Sequence, residues 1–189
     1  AAGYLNNPST LYGHTFLRLH KRGAAGADLL DYTINYAATA DAEKGLFFAI
    51  KGLVGAYPGQ FSTIPYYLKI QEYHNIENRD LWEFPLGLNQ EELDRLLRHS
   101  WELGKAAFPY LFFTRNCSWH LLPLLDIVKP ELDLSRRFRY WVIPSDTAKA
   151  VLEDGQPAPA GWRPSLWKTV EWKRAQLNEA EKMSVLELA

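Results

Sequence analysis

Asn116-Cys117-Ser118-Trp119-His120 carries the only cysteine of the chain. It follows the aromatic run Tyr110, Leu111, Phe112, Phe113 and opens an apolar segment, Leu121 to Val128, that adds two to three helical turns. Asn116 and Ser118 are both good N-cap residue types, so the thiol is expected in the first turn of that helix. There the helix dipole and the backbone N–H groups that lack helical partners favour a thiolate, the reactive form of cysteine. A lone cysteine is otherwise a small buried hydrophobe. What makes a helix-start thiol a catalyst is a histidine that reaches it.

The sequence supplies one. Asn6-Asn7-Pro8-Ser9 forms a turn cluster leading into Tyr12-Gly13-His14. His14 to His20 reads as a strand, Lys21 to Asp28 as a Gly/Ala loop and Leu29 to Ala37 as a second strand. An antiparallel register that sets Leu17 opposite Tyr32, Leu19 opposite Leu30 and Thr15 opposite Ile34 gathers the apolar residues on one face. On the other face the same register sets Arg18 opposite Asp31 and His14 opposite Asn35. A general base needs such an orienting partner, so Cys117, His14 and Asn35 are the candidate nucleophile, base and orienter.

Other combinations are weaker. Cys117-x-x-His120 has half of a zinc spacing but no second ligand pair, and no metal or cofactor is expected. His14 and His20 lie about 20 Å apart along one strand, too far to share an ion. His99 falls off the apolar stripe of its helix and reads as solvated. No Gly-rich phosphate loop occurs. Glu72, Glu77, Asp80 and Glu83 read as solvated acids.

The elements that must position these residues follow in order. Ala40 to Tyr57 begins helix-prone and is expected to break at Gly52, Gly55 and Pro58-Gly59. Its section Leu46 to Val54 is the most apolar of the chain, and reads as a core helix or as an acyl-binding, membrane-touching element. Pro65 to Glu72 and Arg79 to Leu86 are read as strands separated by Tyr73-His74-Asn75. Asn89 with Glu92 predicts a capping box and a helix to about Ala107, its stripe formed by Leu93, Leu96, Leu97 and Trp101. Pro123 should bend the Cys117 helix. Arg139 to Ile143 is read as a strand, and Pro144-Ser145-Asp146 as a helix start. Residues 1–153 thus form the expected catalytic domain, 154–165 a Pro/Gly-rich arm and 166–189 a single amphipathic helix. Net charge is −1 with a pI near 6.6, and the basic residues are not gathered in one block, so nucleic acid is not an expected partner. No stretch of about 18 apolar residues is present to span a membrane. The sequence has no initiating Met and no signal peptide, and reads as a mature or trimmed form.

Several stretches together resemble the Lnb N-terminal periplasmic domain family: Asn7-Pro8-Ser9-x-x-Tyr12-Gly13-His14-Thr15-Phe16-Leu17-Arg18, Asn35-Tyr36-Ala37-Ala38, Gly55-x-Tyr57-Pro58-Gly59-x-Phe61, Pro65-Tyr66-Tyr67-x-Lys69, Glu72-Tyr73, Arg79-Asp80-Leu81-Trp82-Glu83, Asn116-Cys117-Ser118 and Arg163-Pro164-Ser165. A histidine strand followed later by an Asn-Cys helix also resembles the lecithin:retinol acyltransferase-like enzymes. The resemblance implies an α+β, circularly permuted papain-like fold, with an antiparallel sheet on which the nucleophile-bearing helix packs. It implies a bacterial periplasmic or envelope location and a thiol acyltransferase. Such an enzyme would move an acyl chain from a phospholipid donor to an amine acceptor, the N-terminus of a lipoprotein, at a membrane surface. Tyr12, Asn116 and Ser118 are the expected supporting residues, with helix-start amides as oxyanion donors. Phe47, Phe48, Leu53 and Tyr57 are the expected acyl-binding residues. The rival readings are a papain-like cysteine peptidase or amidase acting on peptidoglycan or protein, and a non-catalytic lipid-binding envelope module without thiol reactivity.

Overall fold

The computed structural model describes residues 13–21, 28–38, 46–153 and 161–187. The architecture is α+β. Strands β1 (Leu17–Leu19), β2 (Tyr32–Ala38), β3 (Tyr57–Pro65) and β5 (Ala107–Tyr110) form an antiparallel sheet in the order β1-β2-β3-β5. A two-stranded ribbon pairs β4 (Leu81–Glu83) with β6 (Gly161–Arg163). Strand β2 is buried on both faces: Ile34 and Tyr36 join the apolar core, and Thr33 and Asn35 are equally enclosed on the other side.

The first hairpin corrects the expected register. Leu17 lies opposite Ile34 and Leu19 opposite Tyr32, two positions further along β2 than the apolar pattern suggested. A two-residue slip leaves every side chain on its original face, so patterning cannot distinguish the two registers. What decides is that Asp28–Leu30 forms a 3-10 turn, leaving Leu30 74% exposed and unavailable as a partner for Leu19.

Helix α1 (Leu46–Val54) runs through Gly52 and stops at Gly55, whose φ of 74° suits glycine. Gly52 is required for close approach, since a Cβ there would lie 2.1 Å from the Phe112 ring. Pro58-Gly59 does not break the chain as expected but lies inside β3. Pro58 sits one residue beyond the last β2 pairing at Gly59, so its missing N–H costs no ladder bond on that side.

Two expected strands are absent. Residues after Pro65 form helix α2 (Tyr66–Ile70), which widens into a π-helical turn at Gln71–Ile76. Buried Tyr66, Lys69 and Tyr73 lie at i, i+3 and i+7, a helical stripe that outweighs the β propensity of the tyrosines and isoleucines. Of Arg79 to Leu86 only Leu81–Glu83 is extended. Arg139 to Ile143 has no regular structure; Val142 N–H donates to the Phe113 carbonyl at 2.9 Å, and the Ile143 carbonyl accepts the Asp146 and Thr147 N–H groups at 2.9 and 3.1 Å.

Helix α3 (Gln90–Leu103) has the expected capping box of Asn89 and Glu92 but ends before β5. Its buried stripe rests on Leu96, and Trp101, expected on that stripe, is 83% exposed. Helix α4 (Cys117–Val128) packs against α3 and β2, burying Leu121, Leu122, Leu124, Leu125 and Val128. Short α5 (Leu134–Arg137) and α6 (Pro144–Glu153) pack beside it. The last segment is two helices, not one: α7 (Leu166–Ala175) and α8 (Glu179–Glu187). Asn178 accepts the Glu181 N–H at 3.0 Å while the Glu181 carboxylate accepts the Asn178 N–H at 2.8 Å. That capping box starts a new helix.

Candidate functional site

Two chain segments meet at the sulfur. Gly13, with φ 94°, delivers His14 and Thr15 just before β1, and Asn116 starts α4 so that Cys117 is its first residue. The Asn116 side-chain oxygen accepts the Ser118 and Trp119 N–H groups at 3.1 and 3.3 Å. Its amide nitrogen donates to the carbonyls of Phe112, 3.1 Å, and Val142, 2.7 Å. With both ends used, Asn116 is a cap and a brace for the turn before the cysteine. Ser118 holds the two segments together, its hydroxyl 2.8 Å from that of Thr15. Tyr12 lies outside the described residues.

Cys117 is 2% exposed. Burial pushes its pKa up, but the nearby His14 ring, hydrogen bonds from His14 and the Thr15 N–H, and the Tyr110 hydroxyl outweigh it. The thiol is drawn down to about 7. On the other side of the imidazole, His14 Nε2 lies 2.5 Å from Asn35 Oδ1. An amide oxygen only accepts, so Nε2 carries the proton and Nδ1 keeps the lone pair that can take one from sulfur. Burial works against an imidazolium here, and Lys69 adds to that. The Cys117 charge and the bonds to Cys117 and Asn35 still raise the His14 pKa above its ordinary value. The Tyr73 ring stacks on His14 at 5.7 Å and fixes the plane of the imidazole. Cys117, His14 and Asn35 are thus brought together. In this arrangement the thiol can ionise near neutrality, and the same histidine can return the proton to a leaving group.

The other expected residues divide. Phe48 and Tyr57 are buried and cluster with Phe112, their rings tilted against one another with centroids 5.4 and 5.3 Å from Phe48. Phe47 is 77% exposed and Leu53 about half exposed. Helix α1 reaches the cysteine turn through Phe112, whose N–H donates to the Gly52 carbonyl at 3.1 Å. Arg18 meets Asp31 as expected, at 2.7 Å, although it lies opposite Thr33. His20 bonds the same carboxylate at 3.0 Å.

Three residues at the site are not among the expected site residues: Thr15, Tyr73 and Tyr110. Thr15 was legible as the neighbour of His14. Tyr73 and Tyr110 were not, because a helix where strands were expected and a strand seven residues before the cysteine bring them in. One turn along α4, His120 lies buried against Tyr36, ring centroids 3.9 Å apart, with no partner for Nε2. Among the described residues no group of His, Cys, Asp and Glu is arranged to hold a metal ion.

One family model, described as the Lnb N-terminal periplasmic domain, matches residues 1–154. No curated protein and no solved structure matches the chain. None of the described helices is long and apolar enough to cross a membrane.

Proposed function

Because the chain belongs to the Lnb N-terminal periplasmic domain family, a domain of the cell envelope, we propose that it is a thiol acyltransferase working beside the membrane. The observation that carries this is the ionisable buried thiol of Cys117 against His14, whose far nitrogen is held by Asn35. The order of these parts, histidine first and Cys-bearing helix later, fits a circularly permuted papain-like arrangement.

The reaction follows from the geometry. His14 Nδ1 takes the Cys117 proton, and sulfur attacks the carbonyl carbon of a phospholipid ester. The carbonyl π pair moves to oxygen. When it returns, the ester C–O bond breaks, and the lysolipid alkoxide leaves with the proton from His14. Cys117 then holds the acyl chain as a thioester. A neutral amine attacks this carbonyl, His14 accepts the amine proton, and the C–S bond breaks to give an amide and the original thiol. The acceptor is an N-terminal amine of a lipoprotein. In support of a lipid donor, α1 presents Phe47, Ile50, Leu53 and Val54 to solvent while its other side packs on the turn that leads to Cys117. Exposed apolar helix faces of this kind suit a bilayer surface.

Intact mass spectrometry after incubation with phospholipid vesicles tests the reading. An acyl-sized adduct on Cys117, discharged as amide when a peptide amine is added, is expected. Discharge as free fatty acid only would make the protein a hydrolase. No adduct, with an inert thiol, would leave only a binding module.

A further inference from the structure

An acyl-transfer site must stabilise the oxyanion that forms when sulfur attacks a carbonyl, and the usual donors at a helix start are backbone amides. Here those amides are already occupied. The Ser118 and Trp119 N–H groups go to Asn116 Oδ1, and the His120 N–H goes to the Asn116 carbonyl at 3.2 Å. The Cys117 N–H donates to the Tyr110 hydroxyl oxygen at 3.3 Å. Asn116 has no amide hydrogen left, since both are on the carbonyls of Phe112 and Val142. The expected backbone hole is therefore filled, and what fills its central position is a phenol.

We propose that the Tyr110 hydroxyl is the oxyanion donor of this site, accepting the Cys117 N–H and turning its own O–H from the sulfur to the acyl oxygen as the bond forms. This rests on the reading of Cys117 as an acyl-accepting nucleophile. In the resting site the Tyr110 hydroxyl, held at 3.3 Å by the Cys117 N–H, and the Thr15 N–H are donors beside the sulfur that help draw its pKa down. During attack the Sγ–C bond forms and the carbonyl π pair moves to oxygen, so the negative charge leaves the sulfur for an atom a short distance away. The O–H loses its old acceptor as the new one appears, and a small rotation about the C–O bond of the phenol redirects it. No proton changes owner in this step. A hydroxyl that is accepting an N–H is polarised towards stronger donation, so the Cys117 amide acts through Tyr110.

The surroundings keep the phenol in place and protonated. Tyr110 is buried near the end of the sheet, stacked on Tyr36 at 5.8 Å with an interplanar angle of 9°. Burial and the neighbouring thiolate raise its pKa above the usual phenol range, so it keeps the hydrogen it must donate.

The test compares two reactions of the same thiol on the whole chain. Iodoacetamide alkylates sulfur without forming an oxyanion, whereas p-nitrophenyl acetate acylates it through one. Both rates are measured for the wild type, Tyr110→Phe and Tyr36→Phe, and divided by the thiolate fraction from the pH profile of alkylation. Tyr36→Phe removes a buried hydroxyl from the adjoining ring, bonded to the Phe108 carbonyl, and controls for packing. For Tyr110→Phe the acylation rate per thiolate should fall by about 10²–10³-fold, as for loss of an oxyanion donor, with alkylation per thiolate unchanged. Tyr36→Phe should leave both unchanged. If acylation and alkylation per thiolate keep their wild-type ratio in Tyr110→Phe, the assignment is overturned, whether both rates fall or neither does. A wild-type thiol that alkylates readily but takes no acetyl group overturns acyl transfer itself, a different failure.

Discussion

Asn35 holds His14 although the two residues are not cross-strand partners. In the observed register Arg18 faces Thr33, yet its side chain reaches back to Asp31, and His14 reaches Asn35 in the same diagonal sense. Diagonal neighbours on one sheet face lie about 7–8 Å apart, within reach of long or aromatic side chains. The pairing of base and orienter therefore does not depend on the register that first suggested it. It depends on both residues occupying one face.

Asn35→Ala should slow acylation of Cys117 by about 10–10²-fold, because a misplaced imidazole loses the alignment on which proton transfer depends. It should also cost about 1–3 kcal/mol of stability by leaving the buried Nε2–H without an acceptor. Rates and urea midpoints measured together check this. A fully active variant would show that Asn35 does not orient His14.

The thiol should titrate near neutrality. Iodoacetamide alkylation against pH is expected to give an apparent pKa of about 7 in the wild type. In His14→Ala the value should climb towards or above the ordinary ~8.5, since burial remains and the principal cation is gone. The folded thiol lies below its ordinary value, so the stability it contributes is present above that ordinary value and lost as pH falls through about 7. An identical profile in the two proteins would remove His14 from the site.

His120 should make the fold acid-sensitive. Burial, with a smaller contribution from Arg115, lowers its pKa from 6.5 to about 4. Between those values the unfolded chain binds a proton that the folded one refuses, so stability falls as pH falls, by up to about 3 kcal/mol. His120→Phe keeps an aromatic ring against Tyr36 and removes both the titration and the unpartnered Nε2. Denaturant unfolding at neutral pH and near pH 4 should show a smaller acid loss in the variant. An unchanged loss would assign the sensitivity elsewhere.

Phe47→Ser and Leu53→Ser should weaken cosedimentation with anionic phospholipid vesicles without moving the thiol pKa. Both side chains are exposed, so stability should stay within about 0.5 kcal/mol. Full vesicle binding by the double variant would separate α1 from lipid contact.

Much of the site was legible because its signals are local. Asn116 followed by an apolar helix announces a capped thiol, and a two-residue alternation puts His14 and Asn35 on one face of the hairpin whichever of two registers forms. The Asn89–Glu92 box and the Pro144 helix start were readable for the same reason. Trp101 and Arg139 to Ile143 show the limit, since which turn of a helix meets the core and whether a stretch finds a strand partner are decided by neighbours distant in sequence. Pro65 to Glu72 looked extended by composition, and only packing against the sheet brings out the helical stripe that continues through Tyr73 and sets it on His14. Tyr110 depends on tertiary structure throughout. Pairing of β5 with β3 carries its hydroxyl to the Cys117 amide, and no periodicity within the chain encodes a contact between the end of one strand and the first turn of a helix.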